Sequence, residues 1–141
     1  MTRRSFEVVE ERSGRQAEAN EDVRVGRLVA LGRALSDPIR VRMLGIMAGG
    51  RGCCDLPDCG VPSEDQNAGI CVCEFERYFR MGQSKISYHL RKLKEAGLVR
   101  EEKRGKWSFY YLDKEAADDL LGDAAAHLSS NSPDRREDAC D

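Results

Sequence analysis

Five of the six cysteines fall in one short span, as Cys53, Cys54, Cys59, Cys71 and Cys73. Thiolates are soft ligands and select thiophilic ions over magnesium or calcium. Trivalent arsenic or antimony prefers three sulfurs and keeps a lone pair. Cys71 and Cys73 offer two of the three, and the third would come from Cys53, Cys54 or Cys59. A four-coordinate zinc or cadmium ion, or a lead ion, could draw on the same pool. Two of these thiols could instead close a regulatory disulfide or persulfide bridge. A single cysteine is commonly just a small buried apolar residue. That account suits Cys140, alone in an acidic tail, but not five cysteines in a polar loop and at a helix start.

A second chemistry is carried by charge. The 141-residue chain has a formal net charge of −2. Between Arg77 and Lys106, however, ten Lys or Arg face three Glu, so this stretch is +7 and the remainder −9. A basic patch in an acidic protein attracts phosphate locally and repels it elsewhere. Within the patch, Ile86, Leu90 and Leu93 recur at helical spacing and predict a buried stripe. Gln83, Ser84, Lys85, Ser87, Tyr88 and Arg91 fall at the helix start or on its other side, and Gly97 is placed to end the helix in a left-handed cap. Residues 98–112 then alternate around Lys103-Arg104-Gly105-Lys106, predicting a two-stranded hairpin with a basic tip. A polar-faced helix followed by a basic hairpin is the layout of a winged helix-turn-helix, in which the helix enters a DNA major groove and the hairpin follows the backbone. Base reading would fall to Gln83, Ser84, Ser87 and Tyr88, and phosphate contacts to Lys85, Arg91, Lys103, Arg104 and Lys106.

The elements that must hold these groups read as follows. Residues 1–20 are charged and aperiodic, which predicts a disordered N-terminal arm. Residues 21–128 form one domain. A first helix occupies 22–35, with Val25, Leu28, Val29, Ala30 and Leu35 as its buried candidates. Asp37-Pro38 starts a second helix, with Ile39, Met43, Leu44, Ile46 and Met47 inward. Residues 49–69 are a Cys-rich loop insertion of a length that is usually functional or disordered. A third helix is expected from Ile70 to Arg80, with Val72, Phe75 and Phe79 inward. On such a helix the sulfurs of Cys71 and Cys73 diverge by roughly 200°. One ion holding both would therefore unwind the helix start, and the helix N-terminus would favour thiolate. A last helix covers 114–128, with Ala117, Leu120, Leu121, Ala124 and Leu128 on a stripe that suits either a second subunit or its own domain. The tail 129–141 is expected to be disordered. His89 is read as structural, His127 as isolated, and Trp107, Phe109 and Tyr111 as one packed strand face. The fold class is thus mostly α with a β-hairpin wing.

No apolar run is long enough to span a bilayer, and the N-terminus lacks a signal-peptide core. A cytoplasmic location follows as the expectation, with reduced thiols. The absence of a Cys-x-x-Cys pair or a suitably placed base argues against a thiol enzyme.

Taken together, several stretches resemble the ArsR/SmtB family of metal-responsive transcriptional repressors. They are Leu35-Ser-Asp-Pro-Ile-Arg-Val-Arg-Met-Leu44, Ile70-Cys-Val-Cys-Glu-Phe75, Gln83-Ser-Lys-Ile-Ser-Tyr-His-Leu90, Leu93-Lys-Glu-Ala-Gly-Leu-Val99 and Gly105-Lys-Trp-Ser-Phe-Tyr-Tyr-Leu112. The resemblance implies a homodimer paired through its first and last helices, bound to a palindromic operator and released by inducer. Cys-Val-Cys followed by an acidic and an apolar residue resembles the arsenic-sensing branch, which implies As(III) or Sb(III) as inducer. In that branch's best-known pattern a third cysteine follows three positions after the second. Here Glu76 stands there, which directs attention to Cys53, Cys54 and Cys59. A further family site of acidic and His residues on the last helix is poorly matched by Asp118, Asp119, Asp123 and one His.

Overall fold

The computed structural model describes residues 3–50, 59–61 and 69–129. The elements run α1 (Arg3–Leu35), α2 (Pro38–Gly49), β1 (Ile70–Cys71), α3 (Val72–Phe79), α4 (Gln83–Glu95), β2 (Val99–Arg104), β3 (Trp107–Leu112) and α5 (Lys114–Leu128). Local chemistry sets most of the boundaries. The Asp37 carboxylate accepts the Ile39 N–H at 2.8 Å and Pro38 opens α2. Gly97, at φ +80°, closes α4. Its N–H donates to the Lys94 carbonyl at 3.0 Å, and the Leu98 N–H donates to that of Leu93 at 3.1 Å. Asp113 caps α5 by accepting the Ala116 N–H at 3.1 Å. Gly105, at φ +59°, takes the first of the two tip residues that join Arg104 to Trp107.

The hairpin is wider than its own sequence predicts. Strands order as β1-β3-β2, all antiparallel. The added strand β1 pairs Ile70 with Tyr110 and Cys71 with Phe109. Its approach depends on Gly69: a Cβ there would lie 2.3 Å from the Tyr110 carbonyl oxygen. Two residues carry no readable period, so this pairing has no local signature.

The main core gathers Leu31 and Ala34 from α1, Met43 and Ile46 from α2, Ile70, Phe75, and Ile86, Leu90 and Leu93 from α4, with Leu98, Val99 and Leu120. Phe75, Met43 and the three α4 residues are completely buried. The smaller second cluster joins Cys71 to Phe109, with Val61, Cys73, Trp107 and Tyr111 against it.

Two expectations about α1 are corrected. The segment expected to be a disordered arm is helical from Arg3. Glu, Arg, Gln and Ala dominate residues 7–19 and are good helix formers, and a helix extended from a packed end needs no new nucleus. Its buried side is Leu31 and Ala34, whereas Val25, Val29 and Leu35 are exposed. Those three, with Leu28, Leu121, Ala124 and Leu128, line an open apolar groove of about 520 Å³ between α1 and α5. The stripe of α5 therefore divides: Leu120 faces its own core, while Leu121 and Leu128 face outward. The expected disordered tail, apart from Ser129, and Cys140 within it lie outside the described residues, as do Cys53 and Cys54.

Candidate thiol site and nucleic-acid face

Cys71 does not belong to a helix. It ends β1 and is the N-cap of α3, in extended conformation at φ −77°, ψ 149°. Its N–H donates to the buried Glu74 carboxylate at 3.0 Å, which holds the strand-to-helix corner. Cys73 is the second residue of the helix. The change of backbone direction between them brings the two sulfurs together at 3.2 Å. The expected divergence across a helix, and the unwinding it required of any shared ligand, are thus overturned. The two sulfurs stand close enough for one small ligand to bridge them without opening α3.

The third thiol comes from the loop. Cys59 lies within hydrogen-bonding reach of the Cys73 thiol, next to Val61, which packs on the same cluster. The contacts run Cys59 to Cys73 to Cys71. Among the described residues no three or more His, Cys, Asp or Glu are yet closed around a common point as a metal site. Cys59 reaches Cys73 alone, and Cys73 reaches Cys71.

Cys73 keeps its proton. Burial, then hydrogen bonds from Cys59 and Cys71 and the charge each would carry as thiolate, push the Cys73 thiol far above its ordinary value. For Cys73 the expected thiolate is therefore corrected: α3 is eight residues long, and burial beside two sulfurs outweighs its dipole.

The basic face is built differently. Gln83, Ser84, Lys85, Ser87, Tyr88 and Arg91 are all exposed on α4, opposite the buried Ile86, Leu90 and Leu93. Lys103, Arg104 and Lys106 are exposed at or beside the hairpin tip. Tyr88 is flanked by cations, with the Arg91 guanidinium 5.8 Å and the Lys92 ammonium 5.5 Å from its ring centre. Lys106 lies 5.1 Å from the Trp107 ring centre. Arg104 is held by Glu102 at 3.0 Å, which keeps that carboxyl below its usual range. A phosphate reaching Arg104 would compete with that carboxylate. The wing is tied to α4 by Lys94 and Glu101 at 3.1 Å. Burial would raise Glu101, but Lys94, Tyr110 and Lys103 hold it below the usual range. Burial and Glu101 push Tyr110 up to about 12.

The thiol corner and the wing share a strand. Cys71 faces Phe109 in the β1–β3 register, and Trp107, Phe109 and Tyr111 pack against the Cys71–Cys73 side. Sequence reasoning missed this link and found only the route through α3 into α4. Its one local signal is Gly69, a residue without a Cβ directly before the strand.

No helix among the described residues is long and apolar enough to cross a membrane. Residues 67–101 match the model of the bacterial regulatory proteins of the arsR family. The chain is similar to the arsenical resistance operon repressor of Bacillus subtilis, at 41% identity over 58 residues, which cover 41% of this chain and 55% of that one. It is similar also to a cadmium resistance transcriptional regulatory protein homologue of Staphylococcus aureus, at 34% identity over 58 residues, 41% of this chain and 48% of that one. The matched stretch thus spans about half the length of these relatives. In three dimensions the chain resembles a homodimeric winged helix-turn-helix DNA-binding domain from Mycobacterium bovis, a possible ArsR-family transcriptional regulator. The TM-score is 0.51 at 19% identity, covering 82% of this chain and 89% of that one. At that identity the likeness is one of fold, and the fold is a winged helix-turn-helix.

Proposed function

We propose that this chain, which carries an ArsR-family winged helix-turn-helix, is a transcriptional repressor released from DNA when its thiols capture trivalent arsenic or antimony. The carrying observation is the convergence of Cys71, Cys73 and Cys59 beside the DNA-reading unit. Three thiols fit arsenous acid well. Three As–O bonds give way to three As–S bonds, the thiol protons leave with the hydroxides as three waters, and no oxidation state changes. Among the described residues the candidate for third ligand is Cys59, which lies within reach of Cys73.

In this reading α4 reads bases through Gln83, Ser84, Ser87 and Tyr88, while Lys85, Arg91, Lys103, Arg104 and Lys106 meet phosphates. The protein acts in the cytoplasm as a homodimer on a palindromic operator. The groove between α1 and α5, lined by Val25, Val29, Leu35, Leu121 and Leu128, is the dimer surface. Drawing Cys59 inward shifts the Cys71–Phe109 register and with it the wing, so the output runs through β3 as well as through α3.

Similarity to a cadmium resistance regulator favours cadmium as the second reading. The two differ in protons. A divalent cation must displace thiol protons into solvent, so its affinity rises with pH, whereas arsenous acid consumes them. A duplex selected by the protein from a random-sequence pool, titrated with arsenite, tests the reading. Loss of the complex, with X-ray absorption showing three sulfurs on arsenic, is expected. A complex that survives saturating arsenite overturns it. Release by cadmium alone, with proton release, installs the second reading in its place.

A further inference from the structure

Arg40 is a buried cation, 8% exposed, and each nitrogen of its guanidinium has a partner. Nε donates to the Ala34 carbonyl at 2.9 Å and Nη2 to the Arg33 carbonyl at 2.9 Å, both at the end of α1. Nη1 contacts Nδ1 of His89 on α4 at 3.2 Å. An Arg can only donate. His89 Nδ1 must therefore accept, which makes His89 the neutral tautomer with its proton on Nε2. His89 in turn meets the edge of Tyr88, ring centres 5.5 Å apart, on the exposed side of the same helix.

We propose that Arg40 and His89 are positioning residues for α4: a buried strut fixes the reading helix to the end of α1 while His89 is neutral and fails when it is protonated. This rests on the reading of α4 as the DNA-contacting helix, not on the identity of the inducer. The charged groups facing His89 are Arg40 and Asp37 from α2 and its cap, and Lys85 from its own helix. Asp37 is drawn to Arg40, 4.0 Å away, so it screens the ring only partly. Burial lowers His89 below its ordinary value of 6.5; Asp37 pulls the other way, and Arg40 and Lys85 lower it further. The sign follows. The unfolded chain takes up this proton near pH 6.5 and the folded one only below it, so the strut's contribution is complete above that value. It declines as pH falls below 6.5 and is gone below the folded value. A protonated His89 would set two cations face to face, and α4 would lose its anchor beside Tyr88.

Acid ordinarily strengthens binding to DNA by adding positive charge. The strut predicts the opposite, which makes the test sharp. The full chain is used with a duplex selected at pH 7.5, and affinity is measured by fluorescence anisotropy from pH 7.5 to 5.5 at fixed salt. The wild type should weaken about three- to tenfold, within the tenfold per pH unit that one linked proton allows. His89→Asn sets an amide oxygen near the place of Nδ1 and does not titrate. It should bind within about threefold of wild type at pH 7.5 and lose the acid weakening. His127→Gln, altering the other of the two histidines, should retain it. Arg40→Lys should weaken binding at pH 7.5 while thermal melting shows a folded protein. An affinity that is flat or rises in acid, or a decline that persists in His89→Asn, overturns the strut alone. Failure to select any duplex at pH 7.5 overturns the DNA reading and the strut with it.

Discussion

The thiol corner and the basic face are constructed on opposite terms. On the basic face the functional side chains stand in solvent, and one helical period separates them from Ile86, Leu90 and Leu93 beneath. At the thiol corner the functional atoms are drawn inward, against Phe109 and Trp107, by a strand paired to a distant part of the chain. Charge in solvent needs position but little environment. Thiols gathered from separate segments need burial and mutual contact, and both are tertiary properties.

The comparison can be broken or sharpened by substitution. Leu93→Ala should cost about 2–5 kcal/mol in chemical denaturation because its side chain is fully buried beneath the basic face. Its surface neighbour Arg91→Ala should leave stability within about 0.5 kcal/mol and weaken DNA binding. If both variants lost stability alike, the face would not be the detachable surface described here. Gly69→Ala should come next, at about 1–3 kcal/mol, since its Cβ meets the Tyr110 backbone. Arsenite affinity should fall with it, measured by competition with a small dithiol. A variant that kept full arsenite affinity would show that β1 pairing does not hold the sulfurs together.

Arg104→Ala should flatten the plot of log affinity against log salt by about one unit, the value for one phosphate contact. Glu102 competes with phosphate for this arginine, and an unchanged slope would mean that Arg104 serves the hairpin instead. The smallest effect belongs to the turn between α3 and α4. Arg80 there sits at φ +53°, the sole non-glycine residue with positive φ among the described residues. Arg80→Gly should stabilise by up to about 1 kcal/mol, since glycine adopts this conformation without steric cost. Differential scanning calorimetry would register it.

How much of this was readable follows the same division. The cap at Asp37, the stop at Gly97, the inward faces of α2 and α4 and the hairpin tip at Gly105 all follow from neighbours in sequence, and the structure carries each of them. The long α1 was misread because a charged, aperiodic segment lacks a packed face yet can still extend a helix already formed. The arrangement of Cys71 and Cys73 was misread because β1 is two residues long, and its partner lies nearly forty positions away. Once Cys71 is extended and paired with Phe109, the angle between the sulfurs is no longer that of a helix.

The sequence by itself determined where the cysteines cluster and which surface bears the charge, because residue type and local period are properties of neighbours. Only the tertiary structure decided that the two sulfurs touch, that Cys59 comes within reach of Cys73, that the Cys73 proton stays on, and that Arg40 reaches His89. Each of these depends on segments far apart in the chain excluding water from the same small volume, and no local period records that.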